Sequence, residues 1–241
     1  MTGLRIESGD ALPRSSDLEL IESTLNPATG ETIVELGCGT ALVTRQLAER
    51  FPTCRFIAFE VDDIQHGKNR AADTPSNLEF RRGGAEAIEL PDGSVDAVVM
   101  LKSLHHVPLG WMDQALDEIA RVLRPNGLAY LSEPVYAGAF NEILQLFHDE
   151  KHVREAAFSA IARSIDRALL ELDREIHFLS ASRFAGFEEF EERVIGATHT
   201  EFDIDSTLLA QIRETFVRHL DDEGVADFLN PMRVDLLRKP A

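Results

Sequence analysis

Thr32-Ile33-Val34-Glu35-Leu36-Gly37-Cys38-Gly39-Thr40-Ala41 runs from a short apolar stretch into a turn punctuated by glycine. Leu42 to Arg50 then has helical composition, with Leu42, Val43 and Leu47 as the inward positions. Strand, glycine turn and helix in immediate succession predict the first unit of an α/β fold. Glycines at 37 and 39 let a ligand approach the main chain closely, at the positive end of the following helix. Alone, such a turn is shared by many nucleotide sites and by purely structural turns.

Working outward, Ser15 to Leu25 places Leu18, Ile21 and Leu25 on one face behind a Ser/Asp cap, which predicts an amphipathic helix ended by Asn26-Pro27-Ala28-Thr29-Gly30. On the other side come strands at Arg55 to Glu60, near Leu78 to Phe80, at Val95 to Met100 and at Leu128 to Ser132. Helices fall around Gln65 to Ala72 and from Trp111 to Leu123, the latter closed by Arg124-Pro125-Asn126-Gly127. Strands apolar on both sides belong in a parallel sheet covered on both faces.

After residue 135 the pattern changes. Phe140, Ile143, Leu144 and Phe147 fall at helical spacing, and Phe158, Ile161, Ile165, Leu169 and Leu172 continue it, so about two helices replace the short crossover usual in α/β units. They read equally as a lid over a substrate pocket, as helical padding or as a homodimer interface. Phe178 to Phe184 reads as a helix ending at Ala185-Gly186-Phe187, Glu189 to Ile195 as a strand, Ser206 to Leu220 as a helix and Met232 to Leu237 as a last strand. The expected fold is a doubly wound, mostly parallel, seven-stranded α/β sheet with helices on both faces and a helical insertion after strand five. Its expected organisation is a cofactor-binding half at 1–134, inserted helices at 135–185 and the rest of the sheet at 186–241.

The 241 residues carry 42 Asp and Glu against 24 Lys and Arg, a formal charge of -18. That balance repels polyanions and argues against a nucleic-acid partner. Cys38 and Cys54 are the only cysteines and form no metal or disulfide spacing, so no metal site is expected and a reducing, cytoplasmic setting is. Met1 to Glu7 lacks an apolar signal core, and no apolar stretch is long enough to span a bilayer.

The turn departs from the dinucleotide fingerprint at Leu42, where a small residue would stand, which weakens a nicotinamide-dependent oxidoreductase reading. Glu35 before Leu36-Gly37-Cys38-Gly39-Thr40 closely resembles the first motif of class I, Rossmann-like, S-adenosylmethionine-dependent methyltransferases, with Ala41 in place of the usual third glycine. The resemblance runs over about residues 18–134. It implies that Glu35 faces the amino end of the methionine moiety and that Gly37, Cys38 and Gly39 pass close to the cofactor. Glu60, about twenty residues on, is positioned to accept from a ribose diol, with Val61 beside the adenine. Gly83 to Asp96 is similar to the adenine-binding stretch, where Gly84 replaces the usual Asp and leaves Ala85 and Glu86 as contacts. Leu101-Lys102-Ser103-Leu104-His105-His106 is similar to the stretch bordering the transferable methyl group.

By that resemblance the expected activity is methyl transfer to a small-molecule acceptor, with a non-catalytic S-adenosylmethionine-binding protein as the rival. A hydroxyl or acidic-carbon acceptor needs a base, and histidine serves near neutral pH. His106 is the leading candidate for that base. His105, Glu133, Tyr136 and His148 are candidate acceptor contacts, and His152 lies beside the last of these on the inserted helices.

Overall fold

The structure, a computed structural model, describes residues 12–196 and 202–241. Met1 to Glu7 lies outside the described residues. The chain forms β1 (Thr32–Leu36), β2 (Arg55–Glu60), β3 (Leu78–Arg82), β4 (Val95–Leu101), β5 (Leu123–Pro134), β6 (Glu171–Phe184) and β7 (Ala226–Arg238). Between them lie α1 (Asp17–Thr24), α2 (Leu42–Arg50), α3 (Asp63–Ala71), α4 (Met112–Val122), α5 (Ala139–Leu144), α6 (Lys151–Asp166), α7 (Phe187–Phe190) and α8 (Ser206–Val217).

All seven strands join one sheet in the order β3-β2-β1-β4-β5-β7-β6. Pairing is parallel from β3 through β5. The partner of β5 runs the other way: Asn126 and Gly127 bond Lys239, whereas Val135, farther along β5, bonds Pro231, earlier in β7. Chain order reverses between β1 and β4. Right-handed crossovers therefore put the helices following β1 and β4 on opposite faces, and leave a crevice at the carboxyl ends of these two strands.

Two compact units divide the chain. Among the described residues, one comprises 16–133, 153–176 and 233–241, and the other 12–15, 134–152, 177–196 and 202–232. In the first, Val34, Leu36, Ile57, Phe59, Val98 and Met100 pack with Leu116 and Ile119 of α4 and with Ala157, Ala160 and Ile161 of α6. Strands β1 and β2 are buried almost throughout, as their unbroken apolar runs require. In the second, Ile143, Phe184, Phe187, Phe190, Ile212, Phe216 and Phe228 form a separate, largely aromatic core.

Two sequence expectations are corrected there. Phe178 to Phe184 is the end of strand β6 rather than a helix, and Glu189 to Ile195 is helical, as part of α7 and a π-helical turn at Glu191–Ile195, rather than a strand. Phe187 and Phe190 are three residues apart, so a helix turns both rings into the aromatic core, where a strand would point them to opposite sides. Likewise α6 ends at Asp166, and Leu169 and Leu172 lie beyond it.

The turn from β1 to α2 needs left-handed backbone at three places: Gly37 (φ 69°), Gly39 (φ 52°) and Ala41 (φ 54°). Gly37 is also sterically closed, since a Cβ there would stand 2.8 Å from the Ser103 Cβ; at Gly39 a Cβ would meet nothing within 4 Å. Gly39→Ala is therefore expected to cost about 1–2 kcal/mol, the left-handed penalty alone. Gly37→Ala adds a packing clash costing about 1–3 kcal/mol more. Denaturant melts of the two variants check this, and equal losses would mean that Ser103 yields freely.

Candidate active site

The site is built at the carboxyl ends of β1, β2 and β4. Glu35, one residue before the end of β1, lies in register with Ala58 on β2 and Val99 on β4. It is buried, and its carboxylate accepts a short hydrogen bond from the Thr44 hydroxyl of α2. Burial pushes its carboxyl up to about 7; the Thr44 bond opposes this, and the nearby Asp17 and Glu60 carboxylates reinforce it.

Glu60 closes β2 and ties the crevice together. One carboxylate oxygen accepts from the Gly39 amide at 2.7 Å, and the other from the Val61 and Asp62 amides at 2.8 and 2.9 Å. A carboxylate has about four acceptor positions, so one remains after these three bonds. The Cys38 amide donates to the Phe59 carbonyl at 2.9 Å, fastening the glycine turn to β2 a second time. Asn69 of α3 donates to the Gly39 carbonyl at 2.6 Å.

The field in this crevice is negative. Burial first, then the Glu35 and Glu60 carboxylates, push the Cys38 thiol well above its ordinary range, so it is no thiolate nucleophile. A cation is favoured beside this turn, and the pyrophosphate of a dinucleotide is disfavoured.

Val61 is exposed at the head of the segment leading to α3, whereas Ala85 is buried. The space that a side chain on Gly84 would enter is filled by the carboxylate of Glu86. Leu101 ends β4 opposite Ser132 of β5, and the Lys102 amide bonds the Ser132 carbonyl at 2.7 Å. Ser103 donates to the Leu36 carbonyl at 2.8 Å and begins a short 3-10 turn, Leu104–His106. His105 in that turn is buried, and its Nδ1 meets a carboxylate oxygen of Glu133, near the end of β5, in a short hydrogen bond. The other Glu133 oxygen accepts from the Leu104 amide at 2.8 Å. His106 is exposed, with its ring centroid 4.1 Å from that of His105.

Ten of the sequence-predicted residues thus share the first compact unit with the glycine turn, at or just beyond the carboxyl ends of its strands: Glu35, Cys38, Glu60, Val61, Ala85, Glu86, Leu101, His105, His106 and Glu133. Tyr136 and His148 belong to the other unit. There the Tyr136 hydroxyl and the Gln145 side-chain oxygen are 2.9 Å apart, and His148 pairs with Glu150 at 3.0 Å. His152 is exposed at the start of α6. Thr44, Asn69 and Ser103 were not singled out from sequence. That Asn69 is the buried residue of α3 emerges only from the structure.

The family model for the methyltransferase domain matches residues 33–127. A fatty-acid O-methyltransferase of Mycolicibacterium smegmatis is 32% identical over 127 residues, 52% of this chain and 45% of that protein. The chain thus spans under half the length of that relative. The 27-O-demethylrifamycin SV methyltransferase of Amycolatopsis mediterranei is 27% identical over 200 residues, 80% of this chain and 67% of that protein. Among solved structures, geranyl diphosphate methyltransferase in complex with geranyl diphosphate and sinefungin shares the fold, with a TM-score of 0.56 at 17% identity over 93% of this chain and 77% of that one. The stretch that the methyltransferase-domain model matches, residues 33–127, is the one that carries the strands, glycine turn and crevice just described.

Proposed function

We propose that this protein binds S-adenosylmethionine at the β1–β2–β4 crevice and transfers its methyl group to a small-molecule acceptor. The observation that carries the reading is the Glu60 carboxylate, held beside an open glycine turn in a field made negative by Glu35. A sulfonium that also carries an ammonium group suits that field, and the bound donor supplies an electrophilic methyl carbon. Glu60 has one acceptor position for a ribose hydroxyl. A second hydroxyl must share an oxygen with the Gly39, Val61 or Asp62 amide. Glu35 faces the ammonium end, Gly37, Cys38 and Gly39 pass along the cofactor, and Val61, Ala85 and Glu86 enclose the adenine. Leu101 borders the reacting end. The geranyl diphosphate enzyme, named as a complex with sinefungin, and the two relatives named for small-molecule O-methylation support this reading. The charge of -18 favours a small acceptor over nucleic acid. Cys38 and Cys54 are both free, and no helix among the described residues is long and apolar enough to cross a membrane, which fits a cytoplasmic site of action.

Calorimetry with S-adenosylhomocysteine tests the placement. Glu60→Ala is expected to weaken binding by about tenfold or more, the value of charge-assisted hydrogen bonds. The 2′-deoxy analogue should lose affinity for the wild type and little further for the variant; additive losses would take the ribose away from Glu60.

Glu35 makes binding depend on pH. In the free protein its carboxyl titrates at about 7, and an adjacent ammonium group favours the charged form. Binding therefore expels a proton below that pH, and affinity is expected to fall by up to about tenfold between about pH 8 and about pH 6. The free protein shows the opposite trend. Because the unfolded chain ionises at lower pH, Glu35 subtracts stability as pH rises through its folded value, and Glu35→Gln should stabilise the free protein at about pH 8 more than at about pH 5. Titrations and melts at the paired pH values read both effects, and a Glu35→Gln protein that kept the wild-type pH profile would contradict the assignment.

Isotope-labelled S-adenosylmethionine incubated with a low-molecular-weight metabolite extract should pass label to small molecules. Label found only on transfer RNA or protein would overturn the acceptor class.

A further inference from the structure

We infer that Asp17 of α1 is a second carboxylate at the methionine end of the cofactor site, set beside Glu35 to receive the donor's ammonium group, with Tyr130 as its positioning residue; this rests on the methyltransferase reading above. Asp17 stands outside residues 33–127, so the match to the methyltransferase domain does not bear on it. Strand register and one hydrogen bond bring it to the site. Glu35 of β1 is level with Val99 of β4, and Val99 with Tyr130 of β5, so the side chains of all three leave the same face of the sheet. Helix α2 covers that face at Glu35, through the Thr44 bond. Helix α1 covers it at Tyr130, whose hydroxyl donates to Oδ1 of Asp17 at 3.0 Å. The two helices pack against each other. Burial first, and then the Asp17 carboxylate, push the Tyr130 phenol well above its ordinary range, so it remains a donor.

An acid in the first turn of a helix serves the helix dipole, and it does so from an exposed position. Asp63 holds the same place in α3 and is exposed. Asp17 is only 7% exposed, and of its side chain Oδ1 alone has a hydrogen bond among the described residues. A carboxylate has about four acceptor positions, so a buried one with a single bond is far from satisfied. The Ser132 hydroxyl, on the same face and beside that of Tyr130, is wholly buried and completes no hydrogen bond. The face around Asp17 is thus short of polar partners in the free protein. The charge of Asp17 is felt at Glu35, where it holds the carboxyl up more strongly than Glu60 does. Two buried carboxylates so placed repel each other and favour a cation between them. An ammonium group brings three N–H donors, enough to reach both Asp17 and Glu35. A reciprocal cap sets where Asp17 falls: Ser16 accepts from the Glu19 amide at 3.3 Å, and the Glu19 carboxylate accepts from the Ser16 amide at 3.0 Å.

Calorimetry with paired ligands separates this seat from a structural role. S-adenosylhomocysteine carries the ammonium group, and 5′-methylthioadenosine keeps the adenosine and the sulfur without it. Wild-type protein should bind the first at least about tenfold more tightly. Asp17→Asn should weaken S-adenosylhomocysteine by about tenfold or more and 5′-methylthioadenosine by no more than about twofold. Decarboxylated S-adenosylhomocysteine, which keeps the ammonium group, should lose as much as its parent. Tyr130→Phe keeps the charge and releases the carboxylate, and should weaken S-adenosylhomocysteine alone, by about threefold to tenfold. In the free protein, carbon NMR of the Glu35 carboxyl should show it titrating at about 7 in the wild type and lower in Asp17→Asn, since a like charge is gone. Equal losses for S-adenosylhomocysteine and 5′-methylthioadenosine would make Asp17 a structural residue, and an unchanged affinity for the former would take it out of the site; either result overturns the inference. Should Asp17→Asn not fold, Tyr130→Phe decides with the same two ligands: a loss confined to S-adenosylhomocysteine upholds the seat, and any other pattern overturns it. A wild type that binds neither ligand would instead remove the methyltransferase reading itself.

Discussion

The crevice depends on the bonds that Glu60 makes to the backbone amides of Gly39, Val61 and Asp62. One side chain joins the turn after β1 to the segment after β2, and so holds two strand ends at a fixed spacing. The bonds are part-buried, and a hydrogen bond to a charged group contributes about 1.5–3 kcal/mol. Asn69 and the Cys38–Phe59 bond repeat the tie from other directions. The turn is thus pre-formed in the free protein, and a ligand need not pay to order it.

The same arrangement concentrates negative charge. Glu35 and Glu60 are buried within one crevice, and each raises the proton affinity of the Cys38 thiol between them in sequence. Unopposed buried carboxylates destabilise a fold. Here Glu35 relieves part of that cost by its Thr44 bond and by titrating near neutrality. A cationic ligand supplies the missing countercharge, so strain in the free protein is converted into preference for the ligand.

The first compact unit was legible in the sequence because its strands are apolar on both sides and its turns carry glycine; the helix after β1 begins and ends as expected, at Leu42 and Arg50. The second unit was not. The end of β6 at Phe178 to Phe184 mimics a helix in composition, and the start of the same strand, Glu171 to Glu175 in the first unit, is exposed and charged, which hides the strand pattern that would have identified it. The helical turn at Phe187–Phe190 was hidden by an acidic, aromatic segment whose spacing matters only beside Phe216 and Phe228. In the site, Glu35 and Glu60 were legible from their places relative to the glycines. The pairing of His105 with Glu133 was not, because it arises from the register of β4 on β5, and a dipeptide of histidines offers no means of telling the anchored ring from the exposed one. Glu86 shows a third case: only coordinates reveal that its carboxylate folds back into the space left by Gly84.

A crystal structure of the protein with S-adenosylhomocysteine would decide whether Glu60 and Glu35 hold the ligand as proposed. Both ribose hydroxyls are expected within hydrogen-bonding distance of the Glu60 carboxylate, one of them sharing an oxygen with a loop amide, and the amino group of the ligand beside Glu35. Ligand density away from the glycine turn, or a ribose that leaves Glu60 with its three amide bonds and nothing more, would contradict it.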